Sequence, residues 1–465
     1  MNNHEIDFLK NKTYIGIFYL PDDKEVMGQL IYQKNSNFEL KLFSDFPLDK
    51  EKETAIPFIY GKIHDEQYET YFISLKDCHL FINSLGSYGY QYQVFFDVVL
   101  FSRHRTFDFS KDSIKSISLF YSNWNEFCYP QGFKSHAPYI NKMLSFRVKP
   151  SLRITFNQNI SSHYLPEKGI FDSIFCSSKL SNEEKSLIEK QLEQTLVPYK
   201  DKIGIKIPDK HDWLININTV QNIEDLYPII YDIKSLLTCL TYDFSTNIDK
   251  IRIVSNNGEE KYDSSFFMLK HIHISERRSF YHHQSAPFKL NTFTQNEWAT
   301  IFKHLFNNKN KLNKYFFILL QNHADKVITE FSLTNYLTCI DAIGNSKKYG
   351  KIKYELVLSN FASELKKDDK NKLLSLFRKE LKFVKVKNEQ KKKSWGLIGL
   401  KISELRALTV HFNDKNTETD MSKCIEIYRV LELIIIDYIF ECLQIEKEKR
   451  VKYKEHYISK ILRDC

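Results

Sequence analysis

Arg406 and His411 are the side chains whose types and spacing best suit chemistry on a phosphodiester. An imidazole titrates near pH 6.5, so His411 can accept or release a proton at neutral pH. A guanidinium stays cationic, and its fork of N–H donors fits the oxygens of a phosphate. The pair can therefore move a proton and stabilise negative charge at one phosphate group.

The spacing alone does not select this pair. In a chain with 15 His, about one Arg is expected by chance to precede a His by four to six residues. Location distinguishes the Arg–His pairs that match, because Arg406 and His411 lie at the end of an amphipathic helix that Asn413 and Asp414 are expected to terminate. An offset of five residues rotates about 140° on a helix, so both side chains reach one site only if the helix ends near His411. Three neighbourhoods match the spacing: Arg277/Arg278 with His282/His283, Arg406 with His411, and Arg450 with His456.

A basic stretch leads into that helix. Residues 346–401 contain seventeen Lys and Arg against six Asp and Glu, so this stretch carries an excess of eleven positive charges in a chain of net charge +9. Such a field attracts polyanions, and cations beside an aromatic ring can bind RNA. The candidate RNA-binding residues are Lys391, Lys392, Lys393 and Trp395. The alternatives are a solvated helix face for the lysines and a packing role for Trp395.

The amino-terminal part of the chain has the patterns of antiparallel β-structure. Apolar and β-branched residues alternate with polar ones in short runs separated by turn residues. Ser181 and Glu184 form a capping box that opens a helix, and Asn257–Gly258 is typical of a hairpin turn. The predicted strands are Thr13–Leu20, Val26–Tyr32, Phe38–Phe43, Tyr71–Ile82 and Tyr90–Phe101, with a further helix at Leu226–Leu240.

From about residue 296 the pattern becomes helical. Ile398, Ile402, Leu405 and Leu408 recur at helical spacing and predict one buried stripe. The expected fold class is α+β, with a β-rich domain at 1–290 followed by an all-α bundle at 291–465. The predicted bundle helices are Ile328–Ile343, Lys353–Leu365, Lys370–Val384, Leu397–Val410 and Met421–Leu443.

Several function classes lack their sequence signals. The eight cysteines include no CxxC pair, and neither a P-loop nor a dinucleotide-binding glycine motif occurs. The polar amino terminus lacks a signal core, so we expect a cytoplasmic protein without membrane spans. Four imidazoles, His271, His273, His282 and His283, could bind a metal, but they lack accompanying cysteines and motif spacing. We therefore expect no metal and no cofactor.

Two segments resemble known families. The run Leu405-Arg406-Ala407-Leu408-Thr409-Val410-His411-Phe412 resembles the R-x4-6-H signature of HEPN domains. The runs YIGIFYLPDD, MGQLIYQ and FELKLF within Thr13–Phe43 resemble the opening of the ApeA family of bacterial antiphage proteins. That family joins an amino-terminal β-rich domain to a carboxy-terminal HEPN domain, and the two resemblances occur here in that order.

The resemblance implies a metal-independent endoribonuclease that acts in abortive antiphage defence. Such enzymes cleave RNA, commonly tRNA, by attack of the 2′-hydroxyl, and usually act as homodimers or higher homo-oligomers. The implied catalytic residues are Arg406 and His411, with Asp341 at an acidic position on an earlier helix. A phage component would be the trigger.

One departure from the family pattern keeps other functions open. HEPN ribonucleases often carry Asn directly after the motif Arg, and this chain has Ala407. One alternative is therefore a non-catalytic HEPN bundle that dimerises or binds RNA. Another makes the amino-terminal domain the functional part, as the sensor of a phage component.

Overall fold

The structure is a computed structural model that separates the chain into two compact units. The first contains residues 1–125, 132–228 and 246–274, and the second contains residues 126–131, 229–245 and 275–465. The expected α+β class is confirmed, with strands first and helices after them. The described residues are 12–21, 24–32, 38–45, 47–48, 53–86, 89–121, 127, 144–164, 180–196, 204–217, 222–244, 248–257, 264–269, 287–324, 329–386, 394–410 and 424–463.

The first unit is built on an antiparallel sheet in the order β3-β2-β1-β4-β5-β6-β12-β11-β7-β10-β9-β8. An additional pairing of β3 with β6 closes the first six strands into a ring. All five predicted strands are confirmed, and the strands before and after Asn257 pair as predicted. The strands are β1 (Lys12–Leu20), β2 (Lys24–Tyr32), β3 (Phe38–Ser44), β4 (Glu53–His64), β5 (Thr70–Gly86), β6 (Gly89–Ser102), β7 (Ser113–Tyr121), β8 (Ser145–Lys149), β9 (Leu152–Tyr164), β10 (Gly204–Ile217), β11 (Ile248–Asn256) and β12 (Ser264–Leu269).

Alternation along the strands explains the closed ring. In β1, Tyr14, Phe18 and Leu20 are buried, whereas Ile15 and Ile17 face outward. A period of two puts one set of side chains on each face of a strand, so the inward sets of the six strands meet in one core. The ring therefore encloses its own hydrophobic core, which also includes Leu30, Leu40, Ile59, Ile73 and Phe101.

The second unit is helical, as predicted from about residue 296. Each predicted helix is present, with ends that differ by a few residues, and the Ser181–Glu184 capping box is formed in the first unit. The helices of the described part of the chain are α1 (Asn182–Leu196), α2 (Ile223–Thr241), α3 (Gln295–Asn307), α4 (Lys309–Ala324), α5 (Glu330–Ser346), α6 (Lys353–Ser363), α7 (Lys367–Glu380), α8 (Ser394–Val410), α9 (Ile425–Cys442) and α10 (Lys447–Ile461).

The last helix is part of the bundle core. Tyr453, Tyr457 and Ile458 of α10 are buried, although this segment is highly charged. The Tyr453 hydroxyl donates a hydrogen bond to the carbonyl oxygen of Cys239 at 2.5 Å. Residues 229–245 belong to the second unit. That unit therefore contains residues on both sides of the single boundary that the sequence suggested at residue 290.

A buried polar network joins α4, α5 and α9. Nε2 of His323 lies 2.5 Å from Oε2 of Glu432, and the hydroxyl of Tyr336 donates to the same oxygen at 2.5 Å. Burial alone would raise the pKa of Glu432, but His323 and these hydrogen bonds hold it below its ordinary value. The network fixes the helix that carries Asp341. No helix among the residues described here is long and apolar enough to span a membrane.

Candidate functional site

Glycines allow α5, α6 and α8 to approach one another closely. A Cβ atom on Gly399 of α8 would lie 2.7 Å from the backbone nitrogen of Glu355 on α6. A Cβ atom on Gly344 of α5 would lie 2.5 Å from the Cβ of Lys353. Since only glycine fits at such separations, these two positions set the spacing of the three helices. Polar side chains at the margin of this contact can therefore reach one another.

Asp341 is placed at this margin by the register of α5. The helix begins after Thr329, whose side-chain oxygen accepts a hydrogen bond from the backbone N–H of Ser332. Tyr336, Ile340 and other apolar residues form its buried face. Asp341 follows Ile340 and is rotated by about 100° from it, toward α6 and α8. Its side chain is 15% exposed.

Three donors converge on one oxygen of Asp341. Its Oδ1 accepts a hydrogen bond from the hydroxyl of Tyr354 at 2.9 Å. The same atom lies 2.6 Å from Nζ of Lys353 and 3.4 Å from Nη1 of Arg406. Oδ2 accepts from the side-chain amide of Asn345 at 3.1 Å. Asp341 is therefore held by groups from three helices.

The electrostatics keep Asp341 ionised. Burial raises the pKa of this carboxyl group, but the Lys353 ammonium, the Tyr354 hydroxyl and the Arg406 guanidinium together lower it below its usual value. The pKa of Tyr354 is raised, first by burial and then by its hydrogen bond to Asp341. At neutral pH the pair is thus a carboxylate and a neutral hydroxyl, and neither is suited to proton transfer. The arrangement suits Asp341 to orienting Arg406.

Arg406 is tethered to Asp341 and partly exposed. Its side chain is 36% exposed, and Nη1 makes the long contact with Asp341. Its Nε is buried and, within the described ranges, has no hydrogen-bond partner. The neighbouring Leu405 is fully buried and anchors this turn of α8. The exposed part of the guanidinium can therefore donate hydrogen bonds to an anion such as a phosphate.

The other candidate residues have different outcomes. His411, Lys391, Lys392 and Lys393 lie outside the described residues. Trp395 is 9% exposed, and its ring packs edge-on against Phe377 with centroids 6.0 Å apart. This placement favours the packing interpretation of Trp395 over the base-stacking one.

Several cations of the basic stretch already have partners inside the second unit. Nζ of Lys347 lies 2.7 Å from a carboxylate oxygen of Glu441. Lys401 is buried and donates to the carbonyl oxygen of Leu381 at 3.2 Å. The local excess of positive charge therefore overstates the field that a polyanion would meet.

Arg450 and His456, the third Arg–His neighbourhood, have structural roles. Nη1 of Arg450 lies 3.0 Å from Oδ1 of Asp437, and its side chain is 11% exposed. Burial, with a smaller effect of Lys460, lowers the pKa of His456 to about 4. A neutral imidazole and a compensated guanidinium are poorly suited to phosphate chemistry.

No metal site is formed by the part of the chain that the structure describes. No group of three or more His, Cys, Asp or Glu side chains there could hold an ion. The predicted imidazole cluster, His271, His273, His282 and His283, lies outside those residues, as do Arg277 and Arg278.

Sequence reasoning missed Lys353, Tyr354 and Asn345. Asn345 follows Asp341 by four residues, and this spacing puts the two on one helix face, so it could have been found. Lys353 and Tyr354 lie at the start of the next helix. Nothing in the sequence pattern indicates that they contact Asp341.

Comparison with known proteins concerns the larger part of the chain. A family model described as ApeA N-terminal domain 1 matches residues 13–305. No curated protein and no solved structure matches the chain. The matched residues cover more than half of the 465 in the sequence and include the described strands of the first unit except Lys12, the first residue of β1.

Proposed function

The chain belongs to the family described as ApeA N-terminal domain 1, an antiphage defence family, and from this premise we propose that it is a metal-independent endoribonuclease of the HEPN type. Its helical unit would cleave RNA in abortive defence. The observation that carries the proposal is the contact between Asp341 and Arg406. The two residues lie 65 positions apart, and the resemblance to HEPN domains singled out both of them independently of any structure.

The geometry supports the role of Arg406. A phosphodiester under attack gains negative charge on its non-bridging oxygens, and a fixed cation stabilises that charge. Asp341 holds the guanidinium at 3.4 Å without enclosing it. Lys353 and Tyr354 hold Asp341 in turn, so the cation is oriented before any substrate binds.

The proposed reaction uses the 2′-hydroxyl of the RNA as the nucleophile. A histidine removes the hydroxyl proton, the 2′-oxygen bonds to phosphorus, and the bond from phosphorus to the 5′-oxygen breaks. A second protonated histidine supplies the proton that the departing 5′-oxygen needs. The products are a 2′,3′-cyclic phosphate and a 5′-hydroxyl, so no water or metal is consumed. His411 would supply the base.

A homodimer, or a higher homo-oligomer, would complete the site. Two copies would contribute two His411 imidazoles, one acting as base and the other as acid, together with two Arg406 guanidinium groups. We propose tRNA as the substrate because the family resemblance implies it. Lys391, Lys392 and Lys393 directly precede α8 in the chain and would guide the RNA toward it.

The test is a cleavage assay with matched variants. Purified wild type, Arg406→Ala and His411→Ala are incubated with total tRNA in the presence of a chelator, and the ends of the products are analysed. Arg378→Ala is the control, because Arg378 is an exposed arginine of the same unit on α7. Cleavage by wild type and Arg378→Ala, but not by the two site variants, is expected. Equal cleavage by all four proteins would refute the assignment.

A non-catalytic HEPN bundle is the second candidate, and Ala407 is the observation that favours it. Ala407 is exposed beside Arg406, where the family often has Asn. An alanine cannot donate a hydrogen bond to substrate. If tRNA binds and dissociates intact, and if Ala407→Asn creates cleavage, the binding function is the correct one.

A further inference from the structure

A row of directly paired residues crosses five strands of the first unit. Val254 of β11 pairs with Ser116 of β7, which pairs with Asn216 of β10. Asn216 pairs with Arg153 of β9, which pairs with Arg147 of β8. Directly paired residues in antiparallel strands share one face of the sheet. The five side chains therefore form a continuous line on that face.

A β-bulge adds Lys115 to this line. Ser116 pairs with Val254 and Ile114 with Ser255, so Lys115 is the extra residue of the bulge. Simple alternation would put Lys115 on the face of Ile117, which is fully buried. Instead, Lys115 is exposed and lines the same groove as Ser116. Bulges often redirect a side chain in this way.

These residues line a groove of about 740 Å³. Three of them, Lys115, Arg147 and Arg153, are exposed cations. Ser116 and Asn216 add neutral hydrogen-bonding groups between the cations, and none of the described residues that line the groove carries a carboxylate. The described lining residues are Lys115, Ser116, Arg147, Arg153, Asn216, Ile217 and Val254.

We propose that this groove binds the phosphodiester backbone of a single-stranded nucleic acid. The cations extend from β8 to β7, three strand spacings and hence about 14 Å. That length suits a chain of anionic groups better than one small anion. Arg, Lys, Ser and Asn side chains are also the set that proteins use on phosphate oxygens.

The side chains that line the groove indicate which part of a nucleic acid the groove would recognise. No aromatic side chain is among the described lining residues, so these residues offer the bases no stacking platform. Binding should therefore depend on the backbone, with little preference for base sequence. This site lies in the first unit, whereas the proposed cleavage site lies in the second. The two proposals can be tested separately, because binding can be measured without any cleavage.

The experiment measures binding of full-length protein to a fluorescent 2′-O-methyl oligonucleotide, which cannot undergo 2′-hydroxyl attack. The test variant is Arg147→Glu/Arg153→Glu. The control is Lys24→Glu/Lys62→Glu, which makes the same charge change at exposed positions on β2 and β4. The test variant should lose at least about tenfold in affinity, and the slope of log affinity against log salt should flatten by about 1.4, or roughly 0.7 for each lost contact. The control should change neither quantity comparably.

Four results would overturn the proposal. The first is an unchanged affinity in the Arg147→Glu/Arg153→Glu variant, and the second is an equal loss in the control. The third is equally tight binding of inorganic phosphate or of a poly-glutamate peptide, which would mean that the groove does not select a nucleic acid backbone. A deoxy strand of the same sequence should bind within about threefold, because no sugar-specific contact is proposed. A large preference for either sugar would contradict backbone-only recognition.

Discussion

The helical unit and the β-rich unit hold their arginines in opposite electrostatic settings. Around Arg406, the carboxylate of Asp341 orients the guanidinium and also contacts Lys353 and Tyr354, so Asp341, Lys353 and Arg406 together keep one positive charge. Around Arg147 and Arg153, none of the described lining residues carries a carboxylate. A cation held by a carboxylate has a fixed position, whereas a row of exposed cations attracts an anion without fixing its position. The first setting suits chemistry, and the second suits capture.

The largest expected difference between the two units is in catalysis. Arg406→Ala should reduce tRNA cleavage by about 10²–10³, the usual effect of removing one donor that stabilises charge in the transition state. Arg153→Ala should leave cleavage of a short oligonucleotide nearly unchanged, because Arg153 lines the groove of the first unit and does not belong to the proposed cleavage site. Initial cleavage rates at saturating substrate measure the effect of both variants. Equal losses of rate in Arg406→Ala and Arg153→Ala would mean that the two arginine sites do not differ in function.

The next effect concerns the spacing of α5, α6 and α8, on which the arrangement of Arg406 and Asp341 depends. Gly399→Ala puts a Cβ atom against the backbone of Glu355 at 2.7 Å and should cost about 1–3 kcal/mol in unfolding free energy, with a fall in cleavage. Gly396→Ala is the matched control, because its Cβ would meet the Glu355 carboxylate at an ordinary 3.4 Å. Chemical denaturation and cleavage rates should separate the two variants. Equal behaviour would show that close packing at Gly399 does not position the site.

A smaller effect is expected at the hydroxyl that holds Asp341. Tyr354→Phe removes the 2.9 Å hydrogen bond to Oδ1 and should lower the unfolding free energy by about 0.5–1.5 kcal/mol. Oligonucleotide binding by the groove should stay as in wild type. A fall in groove binding together with stability would show that the two units do not function independently.

The smallest expected effect is a pH dependence. The pKa of Asp341 is lowered in the folded state, so its contribution to stability is present above the ordinary carboxyl pKa of about 4 and is lost as the pH falls through the lowered value. Wild type should therefore lose more stability than Asp341→Asn between neutral pH and pH of about 3. Denaturation curves at several pH values test whether wild type loses more stability than Asp341→Asn as the pH falls. A steeper loss in Asp341→Asn would contradict the ionised state of Asp341.

The sequence predicted what local periodicity determines. Alternation in Thr13–Leu20 indicated the first strand, and the spacing of Ile398, Ile402 and Leu405 indicated the buried face of α8; all three of these residues are buried. Leu408, in the same predicted stripe, is only partly buried. Arg406 was singled out by its residue type and its place at a helix end, whereas Asp341 was singled out only through a family resemblance.

What the sequence did not predict depends on long-range register. The contact of Lys353 with Asp341 follows from the packing of α6 on α5, which depends on Gly344. The row from Val254 to Arg147 requires the pairing of five strands that are spread over residues 113–256. The bulge at Lys115 appears only once that pairing is known. Periodicity within one segment carries no information about which segments become neighbours.

The chemistry of the RNA ends tests the proposed mechanism most directly. Wild type is incubated with tRNA and excess chelator, beside His411→Ala and Arg406→Ala, and the termini are identified. We expect 2′,3′-cyclic phosphate and 5′-hydroxyl ends from wild type alone. Cleavage that the chelator abolishes, or identical ends produced by His411→Ala, would contradict it.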